Sequence, residues 1–229
     1  MEYTLKEILG ELCKIQDDVR WAAGYAFLRD PICGRFTMEE RISLSEKAIS
    51  YGRKMADQII TQYGKISAED FCRILDLEVK KEAGGYRGGE VRYAEFREPG
   101  EVVIYEECIK QAEQTLLDEE LGSLSEAGFL REKQIGEVLL SHEIFHYLEY
   151  QEGDAAFTRT FRHKRKGAVR WLPGAKVMCL SEIAAMAFVK TFQGLPFSPY
   201  VYDVYLVWGC NRDAAYAVYA AVMGPGRYF

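Results

Sequence analysis

The chain lacks several features that would direct it toward other classes of protein. No apolar run is long and clean enough to span a bilayer, and the C-terminal stretch is broken by Asp203, Asn211, Arg212 and Asp213. No membrane partner is expected. The six cysteines (13, 33, 72, 108, 179 and 210) form no Cys-x-x-Cys pair, which excludes a structural zinc ribbon and points to reduced, mostly buried thiols. Positive charge is in deficit, 29 Lys and Arg against 35 Asp and Glu, so the chain repels phosphate and no nucleic-acid partner is expected. The start, Met1 to Glu7, runs into a polar amphipathic pattern rather than a secretory signal, and with the reduced thiols the expected localisation is cytoplasmic. The glycine-dense stretch Ala83 to Gly89 has no Lys-Ser or Lys-Thr after it, so it reads as a turn and not a phosphate loop. Histidine is scarce too, with three in 229 residues.

Two of those three fall in His142-Glu143-Ile144-Phe145-His146. From Phe129 to Glu149 there is no proline, and Ile135, Val138, Leu139, His142, Phe145, His146 and Glu149 recur at helical steps. Histidines four apart on a helix share a face, so both imidazoles can reach one ion. The glutamate between them can touch a water beside that ion and act as general base. This is the H-E-x-x-H arrangement of zinc hydrolases: metal on His142 and His146, catalysis by Glu143.

The chain as a whole, 229 residues that are 48% hydrophobic and 28% charged, suits one domain or one domain with an appended lobe. Periodicity predicts a helix over about 4–29, broken by Asp30-Pro31, and a second from Thr37, with Glu40 completing a capping box, to Tyr63 before Gly64. Residues 1–65 thus form an N-terminal helical region, either a separate lobe or part of the same domain as 66–229. Ser67 caps a short helix to about Leu75. Two strands, 91–96 and 102–105, joined at Glu98-Pro99-Gly100-Glu101, make a hairpin, or an edge to which an extended peptide could add. A helix over 106–117 and a connector over 121–128 lead into the motif helix. The basic run Phe161 to Gly167 reads as a solvated loop.

A catalytic zinc needs a third protein ligand and one open position. Glu182 lies in a helix, 177–189, that is apolar nearly all round, where a carboxylate is costly unless a cation compensates it. Glu149 would point too far along its own helix and suits a supporting or surface role. His163 is surrounded by positive charge. Tyr200, Tyr202 and Tyr205 are each candidates to donate to a developing oxyanion, and packing explains them equally well.

With the motif followed by Glu182-Ile183-Ala184-Ala185-Met186-Ala187-Phe188 and Gly194-Leu195-Pro196, the chain over roughly 66–198 resembles the zincin metallopeptidases, closest to the ImmA/IrrE-type metallo-endopeptidases. It departs from that family in carrying Ile144-Phe145 where Leu-Gly is usual. The resemblance implies an α+β fold: a mostly helical zincin-like core with a small sheet and the N-terminal helical region. It also implies Zn2+ on His142, His146 and Glu182, and a protein or peptide substrate in intracellular regulatory proteolysis. The alternative is a non-catalytic, metal-stabilised interaction or sensing module on the same fold.

Overall fold

Three hydroxyl N-caps begin the helical frame. Thr4, Thr37 and Ser67 each accept a hydrogen bond from the backbone N–H three residues on, and Glu7 and Glu40 return the bond to complete capping boxes. They open α1 (Leu5–Leu12), α2 (Met38–Tyr63) and α3 (Ala68–Ile74). This computed structural model describes residues 3–87, 90–118, 132–164 and 174–224.

The single helix expected over 4–29 is in fact two. α1 stops at Cys13, and the Asp17 carboxylate accepts from the N–H groups of Val19 (3.0 Å) and Arg20 (3.2 Å) to start a new helix. The apolar period continues across the break, but a short acidic side chain that bonds its own backbone competes with the helix ladder. The second piece widens to a π-type helix over Arg20–Ala26 and tightens at Phe27–Arg29.

The chain then lays down β1 (Glu78–Glu82), β2 (Tyr86–Arg87), β3 (Glu90–Val91), β4 (Ala94–Arg97) and β5 (Glu101–Tyr105). β5 is central in a three-stranded sheet, parallel to β1 and antiparallel to β4, with Phe96 opposite Val102. The expected hairpin is present, its first strand starting three residues late because residues 92–93 carry the chain from the small β2–β3 ribbon into it. β4 remains at an edge.

Next come α4 (Glu106–Asp118), α5 (Glu132–Glu152), the single turn α6 (Phe157–Thr160), the ribbon β6 (Arg162–His163) with β7 (Ala175–Lys176), α7 (Cys179–Gln193), α8 (Val201–Trp208) and α9 (Arg212–Met223). The connector 121–128 lies outside the described residues, as does the end of the basic run. The described part of that run corrects the loop expectation: Arg162 and His163 pair with β7, and the His163 ring meets Phe36 edge-on at 4.6 Å.

α7 packs along α2 on one side and α5 on the other. A continuous buried cluster runs from Leu5 to Val222 and takes in Trp21, Phe27, Phe145, Phe188 and Phe197. The N-terminal helical region, from Leu5 on, therefore shares the core of the rest. The architecture is α+β, mostly helical with a small mixed sheet, and no described helix is long and apolar enough to cross a membrane.

Candidate metal centre

α5 and α7 meet where the motif lies. The helical step puts the Nε2 atoms of His142 and His146 3.0 Å apart. α7 brings Glu182 against both, Oε2 3.2 Å from His142 Nε2 and Oε1 3.5 Å from His146 Nε2. A tetrahedral ion with bonds of about 2.0–2.1 Å requires donors roughly 3.3 Å apart. Two imidazole nitrogens and a carboxylate that sets a different oxygen near each ring suit such an ion, and the three residues, with one ligand atom each lying within 4.8 Å of one another, could hold one.

The electrostatics favour a cation at the same point. Burial works against charge on His146, but the surrounding carboxylates of Glu149, Glu182 and Glu143 outweigh it and lift its pKa to about 9. Enclosure by the helices would raise the Glu182 carboxyl, yet the His142 hydrogen bond and the two imidazoles hold it down to about 2. Glu182 sits deep between the helices but opens onto solvent, with 56% of its side-chain surface accessible. It is reachable from the cleft.

That cleft holds about 440 Å³. Val91 to Ala94 form one wall, and Ala26, Arg29 and Asp30 of the N-terminal region another. Val138, Leu139, Met178 and Met186 supply apolar lining beside His142, Glu143 and Glu182. Glu143 is buried, and its Oε2 accepts the backbone N–H of Phe96 at 2.7 Å, which ties it to edge strand β4.

Of the three tyrosines, Tyr200 and Tyr202 line the cleft, while Tyr205 is fully buried in the core. The Tyr200 hydroxyl is buried with no hydrogen-bond partner among the described residues. Its ring is stacked on Trp21 (5.7 Å) and edge-on to Tyr25 (5.8 Å). Burial and the neighbouring Asp203 push that phenol well above its usual range. Glu149 is no ligand: it lies behind His146, Oε2 3.9 Å from Nδ1. His163 is against Phe36, in the β6–β7 ribbon.

Sequence reasoning did not find several residues that shape the site. Asp30, read only as a helix break, sends Oδ2 to the N–H groups of Met178 (2.7 Å) and Cys179 (2.9 Å), capping the helix that carries Glu182. Tyr25 (3.0 Å) and Arg29 (3.2 Å) both donate to Asp203 at the cleft. An Asp-Pro step is also a common loop signal, so only the fold distinguishes the cap. Comparison with family models, curated proteins and solved structures finds no match for the chain.

Proposed function

We propose that the chain is a metal-dependent peptidase, with zinc as its native ion, hydrolysing peptide bonds in a protein or peptide substrate. One observation carries this reading: two imidazoles and a carboxylate converge within 4.8 Å of one another, beside an independently anchored carboxylate in an open cleft. A divalent ion held by His142, His146 and Glu182 would supply Lewis acidity and make a water acidic near neutral pH. Glu143 is the general base. The Phe96 N–H fixes one of its oxygens, leaving the other to accept a proton from water and pass it to the departing nitrogen. An extended peptide would lie along the cleft wall of Val91 to Ala94, where the chain enters edge strand β4. Tyr200, whose hydroxyl has no partner among the described residues and would have to emerge from its burial to reach the cleft, is the preferred donor to the oxyanion among the three tyrosines.

Intracellular regulatory proteolysis is what the likeness to the ImmA/IrrE-type enzymes implies, and we carry it as part of the proposal. A purely metal-stabilised interaction module would have no use for a base tethered at the cleft. The test is Glu143→Gln, an isosteric change that keeps the Phe96 contact. We expect one zinc per chain in both forms by elemental analysis, and hydrolysis of a peptide library by the wild type alone, the variant losing at least ~100-fold. Equal turnover, or none in zinc-loaded wild type across the library, would reject the enzyme reading. Loss of zinc on Glu182→Ala would test the third ligand.

A further inference from the structure

We infer that Ser181 and Glu149 are positioning residues for His146, a hydrogen-bond relay that dictates which ring nitrogen faces the cleft. The inference rests on the metal-site reading and deepens it.

Glu149 is 4% exposed, and its partners come from three elements. Oε1 accepts from the Thr158 hydroxyl of α6, and Oε2 accepts from the Ser181 hydroxyl of α7 at 2.8 Å. An ionised carboxylate only accepts, so each hydroxyl must spend its single proton on it. The Ser181 oxygen, its proton committed, can then only accept from His146 Nδ1, 3.3 Å away. His146 must therefore carry a proton on Nδ1. When the ring is neutral, Nε2 is left with a lone pair directed at the point shared with His142 and Glu182, the form a metal requires.

The direction of the relay is set by proton count, not by distance alone. Every member has one role it can play, and all of them run from the ring toward Glu149. Consecutive residues of α7 thus serve the site twice: Glu182 as a donor, Ser181 as the support for another donor. Among the described residues this buried carboxylate is bonded by two hydroxyls and paired with no Lys or Arg, so the nearby imidazole is what compensates its charge.

The test measures zinc affinity by chelator competition on the folded full-length chain. Ser181→Ala and Glu149→Gln should each weaken zinc binding 10- to 100-fold. Ser181→Thr, which restores the hydroxyl, should stay close to wild type. Ser141→Ala is the control for loss of a buried hydroxyl on the motif helix, since that group bonds the Glu137 carbonyl instead, and its affinity should not change. In zinc-loaded protein, NMR should find an exchange-protected His146 Nδ1 proton in wild type that is lost in Ser181→Ala. Should Glu149→Gln fail to fold, Ser181→Ala decides alone. Wild-type affinity in Ser181→Ala overturns the relay and leaves the metal site standing. A folded wild type that binds no zinc removes the metal site and the relay with it.

Discussion

Tyr200 and Glu182 illustrate how much of this site is decided one side chain at a time. A buried phenol without a partner costs on the order of 1–3 kcal/mol in lost hydration, and a phenylalanine there would avoid that cost. The hydroxyl is explicable if it meets a substrate oxygen during turnover. Tyr200→Phe should then lower kcat by about 10²- to 10³-fold, with zinc affinity unchanged and the protein as stable as wild type or slightly more so. Tyr202→Phe and Tyr205→Phe should leave kcat near its wild-type value in the same steady-state assay. Comparable losses in all three would mean that packing alone accounts for the tyrosines. The candidate ligand residues were legible from the sequence because a four-residue helical step is a rigid ruler and because a glutamate in an apolar helix needs a compensating charge. Ser181 and Thr158 carried no such mark. A hydroxyl has a role only when folding places an acceptor and a donor on either side of it.

Among the elements, α7 has the most demands on it: it holds Glu182, is capped from the N-terminal region by Asp30, and packs on α2 at a place where only glycine fits. A Cβ added at Gly52 would overlap the Ala184 carbonyl, which is backbone and cannot swing aside. Helix propensity alone would reward Gly52→Ala by ~1 kcal/mol, but the overlap should reverse the sign and leave a net loss of roughly 1–3 kcal/mol. At Gly10 in α1 an added Cβ meets nothing within 4 Å, so Gly10→Ala should gain up to ~1 kcal/mol. Urea unfolding of the two variants should move the midpoint in opposite directions; a stabilised Gly52→Ala would show that α2 and α7 are not in this close register. The capped helices were readable because Thr37 with Glu40, and Ser67, are local signals. β1 was not readable. Four of its five residues are exposed and it shows no apolar alternation; it is held by the ladder to β5 and by ion pairs such as Lys80 with Glu101.

Among the described residues one large core joins the N-terminal helices to α5 and α7, and this changes what metal binding would do to the molecule. Residues 1–65 could be read from sequence as a separate lobe because their helices looked self-contained; long-range contacts such as Tyr25 with Asp203 and Lys190 with Asp18 (2.8 Å) are not encoded in any local pattern. With α7 between α2 and α5, a ligand that fixes α5 to α7 stabilises everything packed on them. Binding to the folded state alone contributes RT ln(1 + [L]/Kd), about 2.7 kcal/mol with free zinc at 100 times Kd. For a chain of this size that is a rise in Tm of roughly 5–11 °C. Calorimetry should show a single transition that moves as a unit on adding zinc and moves back on adding a chelator, while Glu182→Ala shows little or no shift. Were the N-terminal helices an independent lobe, a second transition insensitive to zinc would remain, and Asp30 and Gly52 could not couple that region to the metal ligands.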